Sequence, residues 1–289
     1  MDKLKTENYP IIFTHVPRSG GTTLNSILKN IYPGKSHYTF YVQEKGGTVQ
    51  KAIQDFKNLP SADKKQLKLL TGHTSFGIHE GIHEHPTYLT LLRDPVKRLI
   101  SYYYYILGND GHYLHQVLLR NRMALEEFLK GNLSTELDNI QVRQLSGDTH
   151  LRFGQCNEGT LEKAKANLDK WYPVFGITEK FDESLILFKE YFRWKSPYYI
   201  PLNTISYDKS QGDLANDTLH YILRLNQYDL ALYEYASKRF NTMIQRIENF
   251  DQKLIRFQKA NHTISKLGSK KRNYGLYFWN TYQQLLGTP

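Results

Sequence analysis

Arg18-Ser19-Gly20-Gly21-Thr22-Thr23 packs a fixed positive charge, three hydroxyls and two glycines into six residues. Such a turn favours an anion. Glycine lets backbone N–H groups approach a ligand with no Cβ in the way. The first turn of a following helix leaves N–H groups unpaired at the positive end of its dipole. The threonine hydroxyls and the guanidinium add hydrogen-bond donors. Phosphate binding is therefore favoured over an ordinary tight turn with a capping threonine. The turn is not a Walker A loop, because the GxxxxGK[ST] spacing is absent and the cation precedes the glycines. Arg93 opens a second turn, with Ser101 two turns into the next helix. His73, His79, His83 and His85 share one histidine-rich stretch. His79 and His83 would suit a metal on a helix, with His85 as a third ligand, but Gly81 and Pro86 argue against a helix there.

These groups need elements to hold them. Tyr9–Val16 is a short apolar run bounded by Pro10 and Pro17 and reads as a buried strand. From Thr22 onward, Leu24, Ile27, Leu28 and Ile31 fall at helical spacing until Pro33-Gly34 stops the helix. Residues 35–61 read as polar and irregular, apart from a helix over Val49–Leu59. Leu67–Leu70 is a second strand, leading to Thr71-Gly72-His73. Tyr88–Leu92 is another, and Asp94 and Pro95 then supply an N-cap and a first helical residue. Helices are expected over Met123–Lys130, Asp138–Leu145 and Thr160–Trp171. A strand over Tyr172–Ile177 precedes a helix over Glu179–Phe192. Asp213–Leu225 and Asp229 to about Phe257 read as helices, with Asp229 as a cap. The alternation predicts an α/β fold: a parallel sheet flanked by helices, a helical C-terminal part, and one domain over residues 1–289.

Bulk properties narrow the classes. The 289 residues are 40% hydrophobic, ample for a packed core. Lys and Arg outnumber Asp and Glu by 38 to 28, a net charge of +10. Such a surface attracts nucleic acid, anionic membrane, acidic polysaccharide or a phosphorylated cofactor, and charge does not choose among them. Cys156 is the only cysteine, which excludes an intrachain disulfide framework and a cysteine-based zinc site. The N-terminus lacks an apolar signal core and no run is long enough to span a bilayer, so a soluble, cytoplasmic protein is expected.

The two turns together carry more than either alone. HVPRSGGTTL followed by TLLRDPVKRLISYYYYIL resembles the sulfotransferases that use 3′-phosphoadenosine 5′-phosphosulfate (PAPS). The first segment matches that superfamily's 5′-phosphosulfate loop. The second matches its 3′-phosphate motif, here Arg93 and Ser101. The likeness is to the heparan sulfate 2-O-sulfotransferase type in particular, through GHTSF, LLRDPVKRLISYYYYIL and YPVFGITEKFDESLILF in that order. The resemblance implies a P-loop-like sulfotransferase fold. It implies transfer of a sulfuryl group to an acceptor hydroxyl on a carbohydrate. Adenosine 3′,5′-bisphosphate (PAP) is the implied product, with no metal and no nucleic-acid partner.

It also implies roles. The backbone of Ser19, Gly20, Gly21, Thr22 and Thr23, with the Thr22 and Thr23 hydroxyls, holds the phosphosulfate. Arg18 stands where the glycan enzymes carry lysine. Arginine does not readily give up a proton, so Arg18 stabilises charge on the leaving phosphate. His73 matches the catalytic histidine, and its ordinary pKa near 6.5 suits a base. Relatives carry another histidine two residues earlier; Thr71 stands there, so no paired histidine is expected. Gln141 and Arg143 resemble a polar patch near the cleft, and Asn203 and Thr204 follow a loop that contacts the nucleotide. Tyr102–Tyr105 reads as helix packing with hydroxyls at the cleft. Two rivals share part of the pattern. One is a P-loop-like nucleotide kinase or NTPase, for which the lysine is missing. The other is a non-catalytic binder of acidic glycan, which needs only the charge.

Overall fold

A strand buried on both faces shows as a continuous apolar run, and Ile11–Thr14 (β1) and Thr87–Leu92 (β4) are such strands. The computed structural model describes residues 10–41, 48–81, 86–195, 197–200 and 214–270. After β1 come α1 (Gly21–Ile31), β2 (His37–Phe40), α2 (Val49–Lys57), α3 (Ser61–Gln66) and β3 (Leu69–Gly72). After β4 come α4 (Pro95–Leu107), α5 (His115–Arg120), α6 (Leu125–Lys130), α7 (Ile140–Ser146) and α8 (Glu158–Trp171). A two-residue β5 (Gly176–Ile177) precedes α9 (Phe181–Phe192), α10 (Asn216–Leu225), α11 (Gln227–Gln245) and α12 (Phe250–Lys270). Among the described residues no helix is long and apolar enough to cross a membrane.

The strands form one parallel sheet in the order β2-β3-β1-β4-β5, with Ile11 opposite Leu69 on one side and Thr87 on the other. The predicted α/β fold, a parallel sheet flanked by helices with a helical C-terminal region, is the observed one. The chain leaves β1 for the far edge, returns to fill the gap with β3, then crosses to β4. Ligands of open α/β sheets sit beyond the carboxyl ends of strands where the order reverses in this way. Phe13, Leu69, Leu89 and Leu92 are fully buried in the core between sheet and helices. A second apolar cluster joins α4 to α6 and α10 through Leu99, Phe128 and Ile222.

Several boundaries differ from the sequence reading. β2 falls in the stretch read as irregular. It is a four-residue edge strand with only Phe40 buried, too short and too polar to show as alternation. The strand expected over Tyr172–Ile177 pairs only at its end, since Pro173 has no N–H to donate and Tyr172 turns its hydroxyl to Thr14 at 3.3 Å. The long helix expected from Asp229 is two helices, parted where Asn249 takes a left-handed φ of 53°. Asp229 is not its cap. It lies inside α11, fully buried, and accepts from the backbone N–H groups of Gln141 at 3.2 Å and Val142 at 2.8 Å. It therefore caps α7, a helix from a different part of the chain. Asp94 caps α4 as expected, accepting from Lys97 N at 2.9 Å, with Pro95 first in the helix.

Asp229→Ala should lower the unfolding free energy by about 2–3 kcal/mol, the loss expected for stranding two buried donors of a charged acceptor. Urea denaturation should show this as a lower midpoint at unchanged slope.

Candidate active site

Three neighbouring strands deliver the predicted residues to one end of the sheet: the glycine turn follows β1, His73 follows β3 and Arg93 follows β4. In the turn, Arg18 and Gly20 have φ of 67° and 77°. Glycine takes this conformation freely, whereas a residue with a Cβ gives up about 1–2 kcal/mol. α1 starts at Gly21 with no side-chain cap and no acid in its first turn, so its leading N–H groups face the turn ready for an anion. A Cβ on Gly21 would lie 1.9 Å from the His15 ring. Ser19 is fully buried, and its Oγ has no hydrogen-bond partner among the described residues. Thr22 is exposed and lines the cleft, while Thr23 is buried. The turn thus fits a phosphate-bearing ligand on its own geometry.

Arg93 ties this turn to the next. Its Nη1 donates to the Arg18 carbonyl at 2.7 Å. Gln141 holds the Arg93 backbone from both sides, donating to its carbonyl and accepting from its N–H, each at 2.9 Å. Glu179 stands 3.9 Å from Arg93 Nε and accepts from Asp94 N at 3.2 Å. Arg18 Nε donates to Ser101 Oγ at 3.2 Å, and its guanidinium lies 4.4 Å over the Tyr105 ring. The Thr178 hydroxyl, 2.8 Å from Ser19 O and 3.1 Å from Leu92 O, pins both turns from the turn after β5. Arg18, Arg93 and Ser101 therefore form one bonded cluster at the same end of the sheet. Arg18, Thr22 and His73 border a cleft of about 490 Å³, and Arg93 and Ser101 stand behind Arg18.

His73 is exposed to solvent at the cleft. Its Nδ1 lies 3.0 Å from the His15 carbonyl, which only accepts. Nδ1 thus carries the hydrogen and Nε2 the lone pair. A second imidazole, which sequence reasoning missed, stands beside it: the His15 and His73 ring centroids are 4.4 Å apart. β3 carries Thr71 here, and the second imidazole comes from the residue just after β1. The Thr71 hydroxyl donates to Asn25 Oδ1 at 2.8 Å and so accepts from Tyr41, 3.4 Å away, which in turn accepts from His15 Nδ1 at 2.7 Å. Burial pushes the Tyr41 phenol up to about 12, which keeps it a donor. Burial, then His73 and Arg18, hold the His15 pKa well below the ordinary range. Burial lowers His73 against the opposing pull of its bond to His15.

The remaining expected residues divide. Gln141 serves the site by fixing Arg93. Arg143 does not: it is buried in an ion pair with Asp138 and donates to the carbonyls of Leu151 and Arg152, so its role is structural. Its helix neighbour Gln144 lines the cleft instead. Tyr102 and Tyr105 face the cleft, whereas Tyr103 donates to Met123 O in the packing below. His79 bonds Tyr88 OH at 2.9 Å; His83, His85, Asn203 and Thr204 lie outside the described residues. Among the described residues no three His, Cys, Asp or Glu side chains gather as a metal site.

The lowered histidines fix a sign. Below about pH 6.5 the unfolded chain binds protons that the folded chain refuses, so their contribution to stability is present above that value and lost as pH falls through the folded pKa values. The melting temperature should drop with acidification through this window, and imidazole NMR should show both rings titrating below the ordinary value of about 6.5, with His15 and His73 as Nδ1–H tautomers once neutral.

Residues 4–236 match the model of the sulfotransferase family. Heparan sulfate 2-O-sulfotransferase 1 of Homo sapiens is 22% identical over 254 residues, covering 81% of this chain and 71% of that protein. Heparan sulfate 2-O-sulfotransferase hst-2 of Caenorhabditis elegans is 21% identical over 268 residues, covering 84% and 82%. A crystal structure of mouse sulfotransferase SULT7A1 complexed with PAP overlays at a TM-score of 0.39 and 11% identity, covering 88% of this chain and 89% of that one. The match over most of its length, together with the paired turns, establishes that the chain belongs to the sulfotransferase family and is a PAPS-dependent sulfotransferase.

Proposed function

We propose that the enzyme transfers the sulfuryl group of PAPS to a hydroxyl of a carbohydrate, with His73 as general base and Arg18 stabilising the departing phosphate. One observation carries the assignment of roles. An imidazole whose Nδ1 is committed to the His15 carbonyl borders the cleft beside two linked turns, one opening α1 without a side-chain cap, the other beginning at Arg93, whose guanidinium holds the Arg18 carbonyl. The carbohydrate half of the reading draws on relatives named for heparan sulfate.

In this reading the N-terminus of α1, the Ser19 and Thr22 hydroxyls and the turn backbone receive the 5′ end of the donor. Arg93 and Ser101 receive the 3′-phosphate. The acceptor oxygen forms a bond to sulfur as the bridging S–O bond breaks in line. The acceptor proton passes to His73 Nε2, and the electron pair leaves on the 5′-phosphate. Arg18 meets that charge without donating a proton. The His15 carbonyl keeps the His73 hydrogen on Nδ1, so the basic nitrogen is the one at the cleft.

PAP should raise the melting temperature of both the parent enzyme and His73→Ala. Labelled-sulfate transfer by the variant should fall by about 10²–10⁴, the usual yield of a positioned base. The acid limb of kcat/KM should lie below the ordinary histidine value of about 6.5, since burial lowers His73. Loss of the PAP shift in the variant, or unchanged transfer, contradicts the roles.

A further inference from the structure

His73 is exposed at the cleft. An exposed side chain keeps its rotamers unless contacts hold it. A base works only from the right place, so something must hold this ring. The bond from Nδ1 to the His15 carbonyl, at 3.0 Å, sets which nitrogen carries the hydrogen. A single hydrogen bond leaves the ring free to swing about that contact. Two rings oppose the swing. The His15 ring lies beside it with centroids 4.4 Å apart and planes 31° apart. The Tyr41 ring meets it edge-on, 5.1 Å away at 87°. These two neighbours are bonded to each other, His15 Nδ1 donating to Tyr41 OH at 2.7 Å, so they move together.

Both are anchored in turn. His15 is 6% exposed and stacks on Phe13 of β1, 5.6 Å away at 12°. Tyr41 follows β2 and is joined through Thr71 of β3 to Asn25 of α1. Imidazole suits position 15 because it offers a flat face to His73 and a donor to Tyr41. We propose that His15 is a positioning residue for His73: with Tyr41, to which it is bonded, it holds the ring so that Nε2 is the nitrogen presented to the acceptor. The inference rests on the reading of His73 as the base and deepens it. Support of this kind fixes a reacting group without touching the substrate.

Two substitutions in the full chain take the support apart. Tyr41→Phe keeps its ring and drops the hydroxyl, and His15→Asn keeps a donor and drops the ring. Labelled-sulfate transfer from PAPS to heparan sulfate oligosaccharides should show kcat lower by about ten- to hundredfold in each, the loss expected when a reacting group is misplaced by about 1 Å. In Tyr41→Phe the KM for PAPS should stay within about twofold and the PAP melting shift should persist. In a His73→Ala background neither substitution should cost more than about twofold further, because nothing is left to position. Imidazole ¹⁵N NMR should show neutral His73 as Nδ1–H in the parent and as a mixture of tautomers in both variants. Parent-like kcat in both variants, an unmoved tautomer, or the same loss repeated in the His73→Ala background overturns the proposal. If the parent does not sulfate these oligosaccharides, the tautomer alone decides, and Nδ1–H retained in both variants overturns it. Parent-level transfer by His73→Ala would instead defeat the base reading itself.

Discussion

The hydrogen bond from the Arg93 guanidinium to the Arg18 carbonyl is the contact on which the site depends. It joins the turn after β1 to the turn after β4. It also holds a non-glycine residue in the left-handed region, where φ at Arg18 is 67°. A charged donor to a carbonyl contributes about 1.5–3 kcal/mol, enough to offset the conformational cost of about 1–2 kcal/mol. Gln141 and Thr178 brace the same junction from α7 and from the turn after β5. The result is a crevice whose donors are placed before any ligand arrives, which is the form electrostatic stabilisation takes in efficient sites.

Next to this cationic corner both imidazoles have lowered pKa values, through burial at each and through His73 and Arg18 as well at His15. The His15 and His73 rings lie close and tilted, 31° apart in plane. The relay from His15 through Tyr41 and Thr71 to Asn25 fixes one ring, and the His15 backbone fixes the other. The same His15 ring closes against Gly21, so the glycine is needed as much for the histidine as for the anion. The glycine turn and His73 are coupled through a single residue, His15, just after β1.

Much of this was legible because it is local. The glycine turn, the Asp94-Pro95 helix start and the buried runs of β1 and β4 are each written within a few residues. His73, Arg93 and Ser101 were readable once the two turns were taken as a pair. The features that escaped depend on contacts between distant parts of the chain. His15 reads as one more strand-end residue until β3 brings His73 against it. Asp229 looks like a cap for its own helix, whereas its partners lie 87 and 88 positions earlier. Gln144 gains its meaning from a carbonyl 129 positions away. Arg143, equally polar and one residue before it, faces the opposite way into a buried ion pair. β2 was missed because an edge strand with one buried side chain carries almost no periodic signal.

The central claim is that two turns grip opposite ends of one nucleotide, with Arg93 reading the 3′-phosphate. Calorimetric titration of PAP and of adenosine 5′-monophosphate, which lacks that phosphate, tests it directly. The parent enzyme should bind PAP at least about tenfold more tightly, a difference of about 1.4 kcal/mol, and Arg93→Ala should bind the two nearly alike. If Arg93→Ala keeps the full preference for PAP, the 3′-phosphate is held elsewhere and the shared cradle is not the site.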